Sequence, residues 1–347
     1  MAVRVAATLR LADHIALGLR TAPELAEVEH VDADALDRVL RHLVAAAVLS
    51  RDEAGRYALT ERGEWLRDDH PSGLRAVLDI EGALGRADLS FVHLLHSVRT
   101  GKASFPVLFG REFWDDLASD PARRASYDAQ MGADVAAWAP AIVAAHDWGS
   151  IGNVVDVGGG NGTLLAALLR AHPTLRGTVF DQPAAADAAR ETLAAGGLTD
   201  RSDVVSGSFF DPLPQGAGGY LLSAILHNWN DESAGAILRR CADAAGTTGR
   251  IFVVEKTGPD GESPRTDMEL RVLAYLGGRE RGVTELNALA GEAGLQVAAV
   301  RQADDLSIIE LTVSDATAPH GEATDDTNEQ TEGLPAQSDQ SDDLCTP

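Results

Sequence analysis

The sequence has little cysteine, no long apolar run and a shortage of positive charge. Only Cys241 and Cys345 occur among 347 residues, too few for a disulfide framework or a cysteine-based zinc site. No apolar run reaches the roughly 18–20 residues that span a bilayer. Arg4, Arg10 and Asp13 interrupt the N-terminus where a secretory signal would be apolar. We therefore expect a cytoplasmic protein that does not bind membranes.

Acidic residues outnumber basic ones by 53 to 29, which gives a formal net charge of −24. Nucleic-acid binding requires clustered lysine and arginine against phosphate, so this balance argues against a nucleic-acid partner. Nine of the acids lie in residues 314–347, which contain no lysine or arginine. Such a segment buries too little apolar surface to offset the entropy lost on ordering, and we expect a disordered acidic tail there.

Residues 1–70 have the pattern of a winged helix-turn-helix unit. Apolar residues repeat at helical spacing in 5–19 and in 33–49, and two short strands flank a turn at 53–55. In a DNA-binding protein of this type the second helix of the turn motif enters the major groove. Here that helix begins with three aspartates. We favour a dimerisation role, with a ligand-sensing regulator as the alternative.

Residues 71–148 are mostly helical by pattern and hold many of the aromatic side chains. These aromatics either pack helices together or supply one wall of a ligand cleft. Residues 149–313 differ, because apolar strands alternate with helices and glycine-rich turns separate them. This alternation predicts a parallel sheet covered on both faces, and therefore an α/β domain.

A glycine-rich segment follows the first strand of this α/β region. The strand leads directly into residues 158–162, GGGNG, and then into an apolar helix. The glycines permit a tight turn and close approach of a ligand at the helix N-terminus. A dinucleotide fingerprint would need glycine where Thr163 stands. Asp156 suits a cationic amino-acid group and Asp181 suits ribose hydroxyls, so the segment predicts S-adenosylmethionine (SAM).

Two later strands also end in polar or aromatic residues. Ser208 and Phe209 follow the third strand and either contact an adenine or pack the strand end. The fourth predicted strand, YLLSAIL at 220–226, leads to His227. The carboxyl ends of parallel strands face the ligand crevice, and imidazole suits a general base that takes a phenolic proton.

Two carboxylates are candidates to orient His227. Glu255 ends the fifth strand and Glu280 lies in the segment GGRER. Either residue could instead be a solvated surface acid. The ten histidines include no H-E-x-x-H pattern, and we predict no metal.

These segments make the chain similar to the SAM-dependent small-molecule O-methyltransferases that carry an N-terminal winged-helix dimerisation domain. The resemblance covers roughly residues 3–312 and depends on the segments 113–121, 156–162, 180–183, 207–214, 226–231, 253–256 and 268–281. It implies a Rossmann-like class I methyltransferase domain with a mostly parallel seven-stranded sheet, joined to an α-helical winged-helix domain. It also implies a homodimer that converts SAM to S-adenosylhomocysteine.

The resemblance divides the chain into four parts. These are a winged-helix dimerisation domain (1–70), a helical linker that contributes to the substrate pocket (71–148), a SAM-binding catalytic domain (149–313) and the tail (314–347).

The resemblance also implies a role for each candidate site residue. The cofactor residues are Asp156, Gly158 and Gly160 of the SAM loop, Asp181 at the ribose, Ser208 and Phe209 at the adenine, and Ser223 near the methionine group. The catalytic residues are His227 as general base with Glu255 and Glu280 orienting it, and the acceptor residues are Trp114, Met131 and Asn228.

Within the family, residues 1–16, 41–45 and 207–214 are most similar to the neocarzinostatin- and azinomycin-type naphthoate O-methyltransferases. This likeness implies a hydroxynaphthoate acceptor in antibiotic biosynthesis. The chain departs from the family pattern at Asn228, where aspartate is usual, at Ser208, where aspartate is commoner, and in lacking the leading helix. Asn228 leaves open a SAM-binding homologue that hydroxylates or decarboxylates its substrate without methylating it.

Overall fold

The computed structural model describes residues 1–259, 262–263 and 265–314. Apart from Ser314, the predicted acidic tail lies outside these residues. The α-helices are α1 (Ala2–Thr8), α2 (Leu11–Ala16), α3 (Ala22–Glu29), α4 (Ala33–Ala45), α5 (Glu61–Glu64), α6 (Leu74–Leu78), α7 (Ala83–Asp88), α8 (Leu94–Thr100), α9 (Phe105–Phe109), α10 (Phe113–Ala118), α11 (Pro121–Ala145), α12 (Thr163–Ala171), α13 (Pro183–Ala195), α14 (Asp231–Ala245), α15 (Thr266–Leu276) and α16 (Val283–Glu292).

The strands are β1 (Leu49–Arg51), β2 (Tyr57–Leu59), β3 (Asn153–Val157), β4 (Arg176–Asp181), β5 (Ser202–Ser206), β6 (Gly219–Ser223), β7 (Arg250–Glu255), β8 (Leu295–Ala303) and β9 (Leu306–Val313). Short 3-10 turns lie at Leu89–His93, Trp148–Ile151 and Leu226–Asn228.

The N-terminal part contains the predicted helices followed by a hairpin, in which β1 pairs antiparallel with β2. Leu36, Leu40 and Leu43 lie on one face of α4 and are buried, as the apolar spacing predicts. The prediction of one helix over 5–19 is wrong. The chain there forms α1 and α2, because Arg10 takes a left-handed conformation with φ of 45° between them.

The arginines of α4 are paired with aspartates on the same helix. Arg41 lies 2.9 Å from Asp37 and Arg38 lies 2.5 Å from Asp34, while the Asp32 carboxylate accepts a hydrogen bond at the helix N-terminus. These acids neutralise the positive charge that phosphate contacts would need. That this unit does not bind DNA stays a prediction.

The large sheet has the strand order β5-β4-β3-β6-β7-β9-β8. The first five strands in that order are parallel, and β9 runs antiparallel to both of its neighbours. Residues of β3, β6 and β7 are almost entirely buried, because helices cover both faces. The predicted fold class, an α/β protein with a mostly parallel seven-stranded sheet, is confirmed.

The chain order reverses at β3, which lies between β4 and β6. In open α/β sheets, ligands bind at the carboxyl ends of the strands beside such a reversal. Here β4, β6 and β7 end at Asp181, Ser223 and Glu255. Strand β6 ends three residues before the predicted end at 226, because Ala224 has a positive φ of 54° and turns the chain away from the sheet.

Helices α7, α10 and α11 meet at a buried carboxylate. Asp116 is 2% exposed and lies 2.9 Å from the Nε of Arg86 and 2.8 Å from an Nη of Arg123.

Both interpretations of the aromatic residues in 71–148 apply, since Phe113 packs in a buried cluster and its neighbour Trp114 lines the cavity described next.

Candidate active site

A cavity of about 470 Å³ lies at the carboxyl ends of the parallel strands. Its volume is in the range of small-molecule sites. All the predicted site residues line it: Trp114, Met131, Asp156, Gly158, Gly160, Asp181, Ser208, Phe209, Ser223, His227, Asn228, Glu255 and Glu280. Helices α11 and α15 supply the wall opposite the sheet.

The glycine-rich loop between β3 and α12 has a conformation that few other residues adopt. Gly158 and Gly160 have φ values of 74° and 56°, in the left-handed region. A Cβ on Gly158 would lie 2.5 Å from the side chain of Ile225. The Gly160 N–H donates to the Asp181 carboxylate at 2.8 Å, so β4 fixes the position of the loop.

The buried Asp156 and the partly buried Asp181 place negative charge at the loop end of the cavity. Asp156 is 1% exposed and its Oδ2 has no hydrogen-bond partner among the described residues. Burial, reinforced by the charge of Asp181, raises the pKa of Asp156 to about 7. Burial also raises the pKa of Asp181, although backbone N–H groups of Gly160 and Gln182 oppose the rise. A cationic ligand would compensate both carboxylates.

Glu255 holds both the backbone and the imidazole of His227. One oxygen, Oε1, accepts from the backbone N–H groups of Leu226 and His227 at 2.9 and 3.3 Å. The other oxygen, Oε2, lies 3.1 Å from Nδ1 of His227. Glu255 is 5% exposed, so water competes little for these bonds.

The acids around His227 favour its protonated form. Burial lowers the pKa of His227, but the charge and hydrogen bond of Glu255 and then the charge of Glu280 outweigh it, and the pKa lies above its ordinary value. Arg281 acts in the opposite direction. Because Nδ1 faces a carboxylate and carries the hydrogen, Nε2 is the nitrogen that can accept a proton.

Glu280 has a different environment from that of Glu255. Its carboxylate accepts from the Ser263 hydroxyl, and its backbone N–H donates to Glu269 at 2.8 Å. Burial raises the pKa of Glu280, while Ser263 and then His227 lower it. Its described effect on His227 is therefore electrostatic, and its predicted orienting role stays a prediction.

The predicted adenine residues lie beside the glycine loop. The Phe209 ring packs edge-on against Phe210 and Trp229, with centroids 5.2 and 5.7 Å apart. The Ser208 hydroxyl accepts from the backbone N–H of Phe210 at 3.3 Å, which fixes the turn after β5. A hydroxyl therefore has a structural use at the position where the family more often has aspartate.

The predicted acceptor residues form a mixed aromatic and polar wall. Trp114 packs edge-on against Phe113 and Tyr127, and its buried indole N–H has no partner among the described residues. Asn228 donates from its amide to the carbonyl of Ala224 at 3.2 Å. An aspartate could not make that bond, so Asn228 stabilises the turn while Glu255 supports the imidazole.

Several cavity residues escaped the sequence-based site prediction. These are Tyr127, Lys256, Arg265, Met268, Arg271 and Tyr275. Most lie in or beside α15, whose segment 268–281 contributed to the resemblance without individual roles. Before the three-dimensional structure, nothing indicated which side of α15 faces the cavity.

The described residues contain neither a metal-binding cluster nor a membrane-spanning helix. Within 1–259, 262–263 and 265–314, no group of three or more His, Cys, Asp or Glu side chains is arranged to hold a metal. In the same part of the chain, no helix combines the length and the apolar character that crossing a membrane requires.

Two protein-family profiles match the chain. An O-methyltransferase dimerisation domain matches residues 1–69, and an O-methyltransferase domain matches residues 91–296. The chain belongs to the O-methyltransferase family.

Curated relatives extend this result. The O-methyltransferase is 54% identical over 312 residues to 2,7-dihydroxy-5-methyl-1-naphthoate 7-O-methyltransferase of Streptomyces carzinostaticus, covering 90% of this chain and 94% of the relative. It is 42% identical over 350 residues to aclacinomycin 10-hydroxylase RdmB of Streptomyces purpurascens, covering 97% and 92% of the two chains.

A solved structure shares the fold. NcsB1, an O-methyltransferase from neocarzinostatin biosynthesis in complex with SAM and 2-hydroxy-5-methyl naphthoic acid, matches with a TM-score of 0.86 at 54% identity, covering 90% of this chain and 95% of that one. These matches confirm the predicted family and the prediction of a SAM-dependent O-methyltransferase. The domain boundaries and the residue roles stay predictions.

The environment of His227 leads to a pH prediction. A general base acts in its neutral form, so the rate of methyl transfer falls as the pH drops through the raised pKa of His227. We expect Glu255→Gln, which removes the charge and keeps the volume, to lower the maximal rate and to move this acidic limb to lower pH.

The measurement is kcat/KM for the acceptor between about pH 5 and 9. Glu280→Gln serves for comparison and should shift the limb less, because its charge acts on His227 without a hydrogen bond. A limb that stays in place in Glu255→Gln would contradict this account of the His227 environment.

Proposed function

We propose that this O-methyltransferase transfers the methyl group of SAM to a phenolic hydroxyl of an aromatic polyketide, namely a hydroxynaphthoate, in antibiotic biosynthesis. One observation carries the proposal. The imidazole of His227, supported by the buried Glu255, lies in the same cavity as the glycine loop with Asp156 and Asp181. A cofactor site and a proton acceptor thus share one cavity.

The residues at the loop end fit SAM. Asp156 presents a buried carboxylate oxygen that has no partner among the described residues, which matches the ammonium group of the methionine moiety. Asp181 keeps lone pairs for ribose hydroxyls beside the Gly160 N–H. Phe209 offers an apolar ring surface for a base, and Ser223 ends the strand next to the loop. SAM supplies an electrophilic methyl group when bound.

The chain's own residues perform the acid–base part of the reaction. His227 takes the phenolic proton on Nε2 as the oxygen becomes nucleophilic, and Glu255 stabilises the imidazolium that results. The cavity walls hold the phenol at the distance and angle that in-line attack needs. Such positioning supplies a large part of the rate in reactions of this kind.

The acceptor assignment is supported by the aromatic wall and by the relatives. Trp114 and Tyr127 present large ring surfaces, and Met131 adds an adaptable apolar side chain. The 54% identical relatives carry hydroxynaphthoates in their names or structures. A planar bicyclic acceptor is therefore the substrate class that we propose.

One relative favours a second candidate function. The 42% identical hydroxylase RdmB shows that close homologues have been assigned other chemistry. Asn228, which stands where the family usually has aspartate, also leaves this alternative open. The presence of His227 with its Glu255 support favours methyl transfer over this alternative.

We also propose that the enzyme is a homodimer with no nucleic-acid partner. The match of residues 1–69 to a dimerisation domain supports the dimer, and the paired arginines of α4 oppose phosphate binding. Sedimentation equilibrium should give twice the chain mass of 36.5 kDa. A mass of one chain at micromolar concentration would contradict the proposal.

The unpartnered Asp156 gives a test of the cofactor site. Asp156→Asn should weaken SAM binding by about tenfold or more at pH 8, since it removes a charge-assisted hydrogen bond. The free enzyme should be no less stable to heat, because a buried carboxylate without a partner costs free energy. Titration calorimetry and thermal unfolding measure the two effects.

Asp203→Asn is the matched control, because Asp203 is exposed on β5 and does not line the cavity. It should leave SAM affinity unchanged. Unchanged affinity in Asp156→Asn would contradict the assigned contact.

The activity itself is tested with a panel of acceptors. Incubation with SAM and a series of hydroxynaphthoates, hydroxybenzoates and simple phenols should yield a product heavier by one methyl group, with hydroxynaphthoates turning over fastest. Mass spectrometry distinguishes this product from one that gains an oxygen atom. Absence of methylation with every phenol, or oxygen gain alone, would overturn the proposed function.

A further inference from the structure

The loop that follows α15, residues 277–281, lies directly behind the turn that carries His227. Its last residue, Arg281, is 6% exposed. The Arg281 guanidinium donates to the carbonyl of Leu226 at 2.9 Å and to the carbonyl of Trp229 at 2.7 Å. These two residues flank His227 and Asn228 in the chain, so the guanidinium spans the turn.

A third contact ties Arg281 to the helix after the turn. Its Nε donates to Asp231 at 2.9 Å, and Asp231 is the first residue of α14. The guanidinium therefore links both ends of the His227 turn to the start of the next helix.

Gly278 of the same loop packs against the backbone of the turn. A Cβ on Gly278 would lie 2.2 Å from the carbonyl oxygen of His227 and 2.6 Å from the carbonyl carbon of Asn228. Real Cβ atoms do not approach backbone so closely, so the loop and the turn are in direct backbone contact.

Glu255 holds the turn from the opposite direction. Its carboxylate accepts from the N–H groups of Leu226 and His227, while Arg281 donates to carbonyl groups of the same segment. The turn is only a three-residue 3-10 segment, too short to be rigid by itself. Charge-assisted bonds of both signs supply the rigidity.

We propose that Arg281 is a positioning residue for methyl transfer: its guanidinium fixes the carbonyl groups of Leu226 and Trp229 and thereby places the His227 imidazole. This inference rests on the proposed role of His227 as general base. Arg281 lies behind the turn and acts through it, so it has no part in binding the methyl donor.

Arginine suits this task better than lysine. The three nitrogens of one planar group bind a carboxylate and three carbonyl groups, those of Leu226, Trp229 and Arg279, and that planarity fixes their relative positions. A lysine ammonium keeps the charge but is a single point on a flexible stem. Arg281→Lys therefore separates the geometry from the charge.

The test begins with Arg281→Met and Arg281→Lys, with Arg279→Met as the matched control. Arg279 is in the same loop and pairs with Glu285 and Asp231 at the surface. We expect kcat to fall about 100-fold in Arg281→Met and about tenfold in Arg281→Lys, since small misplacements of a reacting group are costly. The dissociation constant for SAM should change less than about twofold in both Arg281 variants. The kcat of Arg279→Met should also change less than about twofold.

The deciding measurement is a double-mutant cycle with His227→Ala. If Arg281 acts through the imidazole, Arg281→Lys should cost less than about twofold in kcat once His227 is absent. The cycle uses Arg281→Lys, so it can be completed even if Arg281→Met does not fold.

Three results would overturn the inference. An equal loss from Arg281→Lys with and without His227, or a wild-type kcat in Arg281→Lys, would remove the positioning role while leaving the base role intact. A wild-type kcat in His227→Ala itself would instead remove the base role, and the positioning role with it.

Discussion

The site depends on one buried carboxylate that makes two kinds of bond. Glu255 uses one oxygen for the backbone N–H groups of the His227 turn and the other for the imidazole. Because the strand β7 ends at Glu255, the sheet itself determines where the imidazole lies. The same carboxylate raises the affinity of His227 for a proton, so geometry and basicity have a common origin.

The other acids of the cavity serve a different purpose. Asp156 and Asp181 lie on neighbouring strands at the loop end, and their mutual proximity helps to raise the pKa of Asp156. This arrangement is unfavourable without a ligand and becomes favourable with a cation. We propose that this electrostatic strain in the free protein favours binding of the positively charged cofactor.

Much of the architecture follows from patterns along the chain. Alternating apolar strands and helices predicted the sheet, and strand-end positions predicted that His227, Glu255 and Asp181 would meet. Sequence could not reveal that β6 stops at Ser223, because the positive φ of Ala224 is uncommon for alanine and no residue pattern predicts it. It also missed Arg281, whose role exists only because a distant loop docks behind the turn.

Sequence patterns also do not determine which charged residues pair with one another. The spacing of Arg41 and Asp37 on α4 suggests a pair, but no sequence rule separates Glu255 from Glu280. Both are acids near a predicted strand end or loop. Only the three-dimensional structure shows that Glu255 contacts the imidazole while Ser263 and Glu269 engage Glu280.

Single-turnover methylation by His227→Ala shows whether His227 is the base that Glu255 supports. With SAM and a methylatable phenol both saturating, the rate should fall by about 100-fold or more, while the affinity for SAM stays near that of the unchanged enzyme. A rate within about twofold of the unchanged enzyme, at the same SAM affinity, would show that positioning alone drives the reaction.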